Sequence, residues 1–301
     1  MTIPFENVPL RELGTLVRRV EAAGYDGLWS AESTHYDGFT PLAVAAEQTE
    51  RVRLVTGIVN VFTRGPALLA QTAAALADAS NGRFVLGLGA SSNVIVERWN
   101  RIPFQRPLAR VEETVSYLRT VLAGERGEGG FKLAAPPSRP IPIVLAALRG
   151  PMLQLAARVA DGAFTNFLPL SRVGQVRDAF GAPDKELACR LFSFHGDDAL
   201  ATANRTFVAY ATVPVYTEFF RWLGFGSEID PLVDAWNAGD RARAVELVPE
   251  SLVREIFLLG SVDEQRERLA EFGRAGIETG VLAFSAPPAE LPALIKAFAP
   301  G

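Results

Sequence analysis

The sequence is poor in the residues that hold metals and disulfides. Its 301 residues include one cysteine, Cys189, and two histidines, His35 and His195. A lone cysteine cannot close an internal disulfide, so a reducing, cytoplasmic setting is expected. Two histidines, with no CxxC or HExxH spacing, leave no expected metal site. Cys189 sits in "KELACRLFSFH" with no base near it in sequence and reads as a buried structural thiol. Positive charge is also scarce: 30 Lys and Arg stand against 34 Asp and Glu, a net −4. That excludes a general nucleic-acid binder, which needs a basic face to displace counterions. No run is long and uncharged enough to span a bilayer. The start, "MTIPFENVPL", lacks the basic and apolar stretches of a signal peptide.

What the chain does have is apolar material, 49% of its residues, enough for one sizeable core. Strand-like and helix-like segments alternate along it. Residues 25–30, 53–59, 82–89, 141–147, 163–167, 185–195 and 277–285 read as strands. Residues 10–24, 40–50, 66–80, 107–124, 150–162, 261–276 and 288–299 carry apolar residues at helical spacing. The helix at 40–50 opens on Thr40 with a proline in its first turn. This alternation means parallel strands with crossover helices. Seven or eight such units fit a (β/α)8 TIM barrel over 1–301. An open dinucleotide-binding sheet is disfavoured because "GLGASS" (87–92) has Ser92 where the third fingerprint glycine belongs. Residues at about 199–259 read as a helical insertion near the C-terminal third. The first strand has only "TIPF" available, and Pro4 cannot donate to a ladder, so it is short or vestigial.

In such barrels the site lies in the loops after the strands. Those loops carry Glu32, His35, Asn60, Arg64, Ser91, Ser92, Asn93, Arg149 and Asn166. They form no Ser-His-Asp set and no metal cluster, an inventory that positions a ligand rather than attacking it. Gly87, Gly89, Ala90, Ser91 and Ser92 leave room for a flat group against the main chain. Gly150 and Pro151 open a helix, whose N-terminus is an anion site, and Arg149 adds charge there. One further segment, "LVTGIVNVFTRGP" (54–66), is a buried strand interrupted by Gly57, which marks a bulge or a close approach of main chain.

The order of "AAGYDGLWSAE", "RVRLVTGIVNVFTRGPALLAQTAAALADASNGRFVLGLGASS", "LAARVADGAF" and "GSVDEQRERLAEFGRAGIE" resembles the bacterial-luciferase-like (LLM class) oxidoreductases. It is most similar to their coenzyme F-420-dependent branch, and the resemblance covers nearly the whole chain. It implies a deazaflavin in the barrel mouth and hydride transfer at C5 of that ring, to or from a small substrate with a C=C, C=N or C=O group. An FMN-dependent luciferase-like monooxygenase is the alternative, and a non-catalytic ligand-binding member of the fold is the alternative of another class. The resemblance places a bulge, often with a non-prolyl cis peptide, at Gly57–Ile58, where the ring rests, with Asn60 just beyond. Glu32 matches an acidic position near ring and substrate. The histidine frequent at the next position in relatives is Ser33 here, and His35 stands in as the candidate proton donor. Gly89, Ala90, Ser91, Ser92 and Asn93 match the loop flanking the ring. Leu148, Arg149, Gly150 and Pro151 match the segment that holds the phosphate tail. Asp161 and Gly162 are read as structural. The expected partners are a small-molecule substrate and a second copy in a homodimer, with no nucleic acid and no membrane.

Overall fold

The computed structural model describes residues 1–300. Its parallel strands are β1 (Thr2–Ile3), β2 (Gly27–Ser30), β3 (Arg53–Thr56), β4 (Val59–Asn60), β5 (Phe84–Gly89), β6 (Ile143–Ala146), β7 (Gly162–Asn166), β8 (Glu186–Phe194) and β9 (Thr279–Ser285). They pair in the order β1-β2-β3-β5-β6-β7-β8-β9, and β4 continues the third position alongside β5. β1 lies against β9, so the sheet curls into a nearly closed barrel of eight positions with helices around it. This is the (β/α)8 fold that the strand–helix alternation implied. The first strand is two residues long and ends at Pro4. No helix among the described residues is long and apolar enough to cross a membrane.

Strand alternation splits the core in two. Outward side chains such as Leu28, Leu54, Leu86 and Leu145 meet the helices. Inward ones form a separate plug in the lumen: Trp29, Val55, Val85, Val144, Phe164, Ala188 and Val281. Each of seven strand positions contributes one; β1 contributes none. Two aromatics fill the width, with Trp29 and Phe164 in contact at 4.9 Å between ring centroids.

The third position contains the register change that Gly57 suggested. Val55 pairs with Val85, an offset of 30, whereas Val59 pairs with Leu88, an offset of 29. One extra residue is therefore accommodated on the β3–β4 side, which is a bulge. The Gly57–Ile58 peptide there is cis. Ladder bonding lapses across the bulge, and the Thr56 side chain replaces it. Its Oγ1 accepts from the Gly87 amide at 2.7 Å and donates to the Gly87 carbonyl at 2.9 Å. Main chain approaches main chain so closely here that a Cβ on residue 87 would lie 1.7 Å from the Thr56 carbonyl oxygen. Only glycine fits.

Strands β3 and β8 occupy opposite positions of the barrel, and side chains strap them together across the lumen at both ends. At the N-terminal end Arg53 forks onto Glu186, with contacts of 3.1 and 3.0 Å. Thr279 of β9 also donates to Glu186. Burial alone would raise the Glu186 pKa, but the guanidinium and the hydroxyl outweigh it and hold the carboxyl below its ordinary value. At the other end Arg190, four residues further along β8, donates to the Gly57 carbonyl at 2.5 Å.

Two elements escape the sequence pattern. The helix Val173–Phe180 buries Val173, Val176 and Phe180, but it is only eight residues long and carries Gly174 near its start, so its periodicity is weak. The π-helix Val94–Trp99 is six residues with β-branched Val94, Ile95 and Val96, which read no more like helix than strand. At 40–48 the opening amides are held by Asp37 rather than Thr40: its Oδ1 accepts from Phe39 and Thr40. Five helices span 199–256.

Two outcomes test this frame. Thr56→Val leaves the Gly87 amide and carbonyl buried without partners and is expected to cost about 2–4 kcal/mol in urea unfolding, with Thr56→Ser close to wild type. Equal stability of the valine variant would show that the hydroxyl is not the clamp. Because the Glu186 pKa is lowered on folding, its stabilising contribution is complete above the ordinary value of 4.5 and is lost as pH falls through the folded value. Glu186→Gln is expected to flatten that part of the stability–pH curve, and an unchanged acid limb would refute the assignment.

Candidate active site at the barrel mouth

Above the plug, the inner wall changes character around the barrel. Two residues beyond each plug residue stand Ala31, Gly57, Gly87, Ala146, Asn166, Arg190 and Ala283. The β3–β5–β6 arc is thus made of glycine and alanine, with Ile58 resting on the plug. Ile58, Ala90 and Ala146 keep partial exposure, so this arc faces an opening. A Cβ on Gly89 would meet Ala146 at 2.9 Å and Ile58 at 3.0 Å, which keeps the shelf shallow and smooth.

The β7–β8 arc is the polar half. The Arg190 guanidinium lies 5.3 Å from the Phe164 ring centroid, and its buried Nε has no partner. Burial lowers its pKa. Asn166, its register partner on β7, donates from Nδ2 to the Tyr216 hydroxyl at 3.2 Å. Burial pushes the Tyr216 phenol up, so it stays protonated. Tyr216 belongs to the helix Pro214–Trp222 and Tyr210 to Ala199–Ala211. Both rings pack on Phe167 at the end of β7, at 5.4 and 4.3 Å. The helical insertion therefore walls this side of the mouth.

The residues expected from the sequence fall into three groups. Gly57, Ile58, Gly89 and Ala90 line the small-residue shelf, and Ser91, Ser92 and Asn93 follow at its rim, partly exposed. Ser91 has a positive φ of 64°. Asn60 is buried, and its Oδ1 is spent on the amides of Phe62 and Thr63. Leu148 to Pro151 stand at the start of the helix Gly150–Val159, which has no acidic residue in its first turn. Arg149 there lies 3.7 Å from Glu218 of the insertion. Glu32 is brought to the bulge, since its amide donates to the Ile58 carbonyl at 3.3 Å. Its carboxylate is held in an ion pair: Arg64 donates to one oxygen at 2.6 Å and approaches the other at 2.6 Å, and the Gly38 amide adds a third contact. His35 stands exposed on the same loop, its ring 4.1 Å from Tyr36.

Other readings also find their place. Cys189 is buried, and burial pushes its thiol up to about 12. Asp161 accepts from Arg119 and from the Ile143 amide, both at 2.7 Å, a structural role. The sequence reading missed Arg190 and Tyr216 as site components. The signal for Arg190 was present in "LACRLF", where an arginine falls in phase with inward-facing Ala188. Two surface concavities, about 390 and 290 Å³, lie at the opposite end of the barrel. In the first, the Glu21 carboxylate already takes the amides of Glu50, Arg51 and Val52, so that end is committed to holding the fold together.

The fold is a parallel barrel with a bulged third strand beside a shelf of glycine and alanine. A family profile described as luciferase-like monooxygenase matches residues 2–279. The chain belongs to that family. It is 29% identical over 297 residues to a 5,10-methylenetetrahydromethanopterin reductase of Archaeoglobus fulgidus, covering 88% of this chain and 87% of the relative. Among solved structures it is similar to the coenzyme F-420-dependent tetrahydromethanopterin reductase of Methanopyrus kandleri, with a TM-score of 0.75, 21% identity and coverage of 99% and 95%. It is also similar to the oxygenating constituent of 3,6-diketocamphane monooxygenase from Pseudomonas putida, solved with FMN, with a TM-score of 0.66, 19% identity and coverage of 96% and 91%.

The ion pair at the bulge invites a double-mutant cycle. Glu32→Gln, Arg64→Met and the pair are expected to give a coupling of about 1–3 kcal/mol, as for charge-assisted, half-buried contacts. Coupling near zero would mean that Glu32 is free in solution.

Proposed function

We propose that this protein is an oxidoreductase that uses coenzyme F-420 as its hydride carrier. The observation that carries the reading is the one-residue slip at Gly57–Ile58 facing a shelf without large side chains. The residues fit a deazaflavin. The shelf of Gly57, Ile58, Gly89, Ala90 and Ala146 offers a smooth apolar face to a planar ring. The first turn of Gly150–Val159 has no acidic side chain and is preceded by Arg149, which suits a phosphate tail. When bound, a deazaflavin exchanges a hydride at C5, and a substrate C=C, C=N or C=O takes up that hydride and a proton, or gives up both.

The chain's own part is placement and exclusion of water. The Thr56 clamp fixes the height of the shelf, and Arg190 fixes its floor by holding the Gly57 carbonyl. The Glu32–Arg64 pair anchors the loop beside the ring rather than leaving a free carboxylate. The insertion closes the β7–β8 side with Phe167, Tyr210 and Tyr216. The sequence likeness to a putative coenzyme F-420-dependent oxidoreductase of Mycobacterium tuberculosis, 27% identical over 310 residues and covering 89% of each chain, favours a deazaflavin over FMN. The FMN monooxygenase reading shares the same shelf and is separated from this one by cofactor preference.

The test is a fluorescence titration of the purified chain with oxidised F-420 and, in parallel, with FMN. We expect saturable binding of F-420 with FMN weaker by about ten-fold or more, and Arg149→Glu reducing F-420 affinity by about ten-fold, which is 1.4 kcal/mol. Tight FMN binding with no response to F-420 would overturn the assignment.

A further inference from the structure

The two straps between β3 and β8 differ in one respect. Arg53 meets a carboxylate, and its charge is neutralised. Arg190 meets only a main-chain carbonyl and the face of Phe164. No carboxylate pairs with it among the described residues, and its Nε is buried with no partner at all. The titratable groups facing it are Cys189, Tyr210 and Tyr216. Burial keeps the Cys189 thiol and the Tyr216 phenol in their neutral forms. The polar half of the mouth therefore carries an uncompensated positive charge beside an amide and two phenols. A buried charge without a counter-ion is unfavourable, and a guanidinium fork matches a planar oxyanion.

We infer that Arg190 receives an oxyanion of the substrate, so that the enzyme acts on small organic acids whose carboxylate lies close to the bond that gains or loses the hydride. This rests on the hydride-transfer reading above. Arg190 springs from β8, opposite β3, and reaches the shelf at the Gly57 carbonyl, with its free Nε left over. Asn166 and the Tyr216 hydroxyl stand beside the guanidinium and give the acid further hydrogen bonds. A neutral ester of the same acid would leave the charge unpaired.

The test uses crotonate, pyruvate and benzoate against their methyl esters. Binding is followed by the absorbance of F-420 in the loaded protein and by tryptophan fluorescence without cofactor, since Trp29 packs on Phe164 beneath Arg190. At least one acid is expected to bind about ten-fold tighter than its ester. Arg190→Lys is expected to weaken that acid by about ten-fold while affinity for its ester stays within about two-fold. Asn166→Asp sets a carboxylate beside Arg190 and is expected to suppress acid binding in the same way; it carries the test if Arg190→Lys does not fold. Equal affinity for acid and ester, no binding of any acid, or an equal loss for acid and ester in Arg190→Lys would each overturn the inference. The last outcome would leave Arg190 as a strap alone. Discrimination of acid from ester by a chain that binds no F-420 supports the oxyanion site and overturns the F-420 reading alone.

Discussion

The slip of one residue between β3–β4 and β5 is the constraint on which the mouth depends. It takes the Gly57 and Ile58 carbonyls out of the ladder and leaves them in need of donors. Arg190 supplies one from across the lumen. The Glu32 amide supplies the other and draws the β2 loop to the bulge. That loop is then pinned by Arg64, whose guanidinium also lies 5.2 Å from the Phe39 ring centroid. The Thr56 hydroxyl restores the bonds that the slip removes from Gly87, so the irregularity is confined to a few residues of an otherwise regular wall.

The two straps join one pair of strands at both ends but differ in how fully their charges are matched. At the N-terminal end the charges are matched, with three side chains from β3, β8 and β9 in contact. At the C-terminal end the same strands approach through an arginine and a carbonyl, and charge is left over. Fully matched polar groups favour rigidity, whereas an unmatched one retains affinity for something else. The mouth is correspondingly asymmetric, small and apolar on β3, β5 and β6, rich in donors on β7 and β8.

Much of the fold was legible because its signals are local and repeated. Strand–helix alternation specified a parallel barrel, and "TIPF" specified a minimal first strand. Gly57 marked the bulge because glycine interrupts an otherwise β-branched run. Legibility failed where the cause was tertiary. The role of Thr56 depends on the register of β5, which no local pattern reveals. Glu32 reads as a free acidic group near ring and substrate until Arg64, 32 residues away, is seen to hold it. Arg190 was hidden inside an apolar strand whose inward phase is clear only once the plug is known. The helix Val173–Phe180 was lost to a period too short to stand out.

The walls of the mouth come from two separate stretches of chain. The shelf belongs to the barrel, where Gly87 tolerates no side chain and the register is fixed. The opposing wall is partly lent by residues 199–256, whose helices meet the barrel through the aromatic cluster around Phe167 and through polar contacts such as Asn166–Tyr216 and Gln175–Trp222. Mutational drift therefore meets very different resistance on the two sides. Rewriting the insertion would reshape one wall of the mouth and leave the bulge and the Gly87 approach as they are.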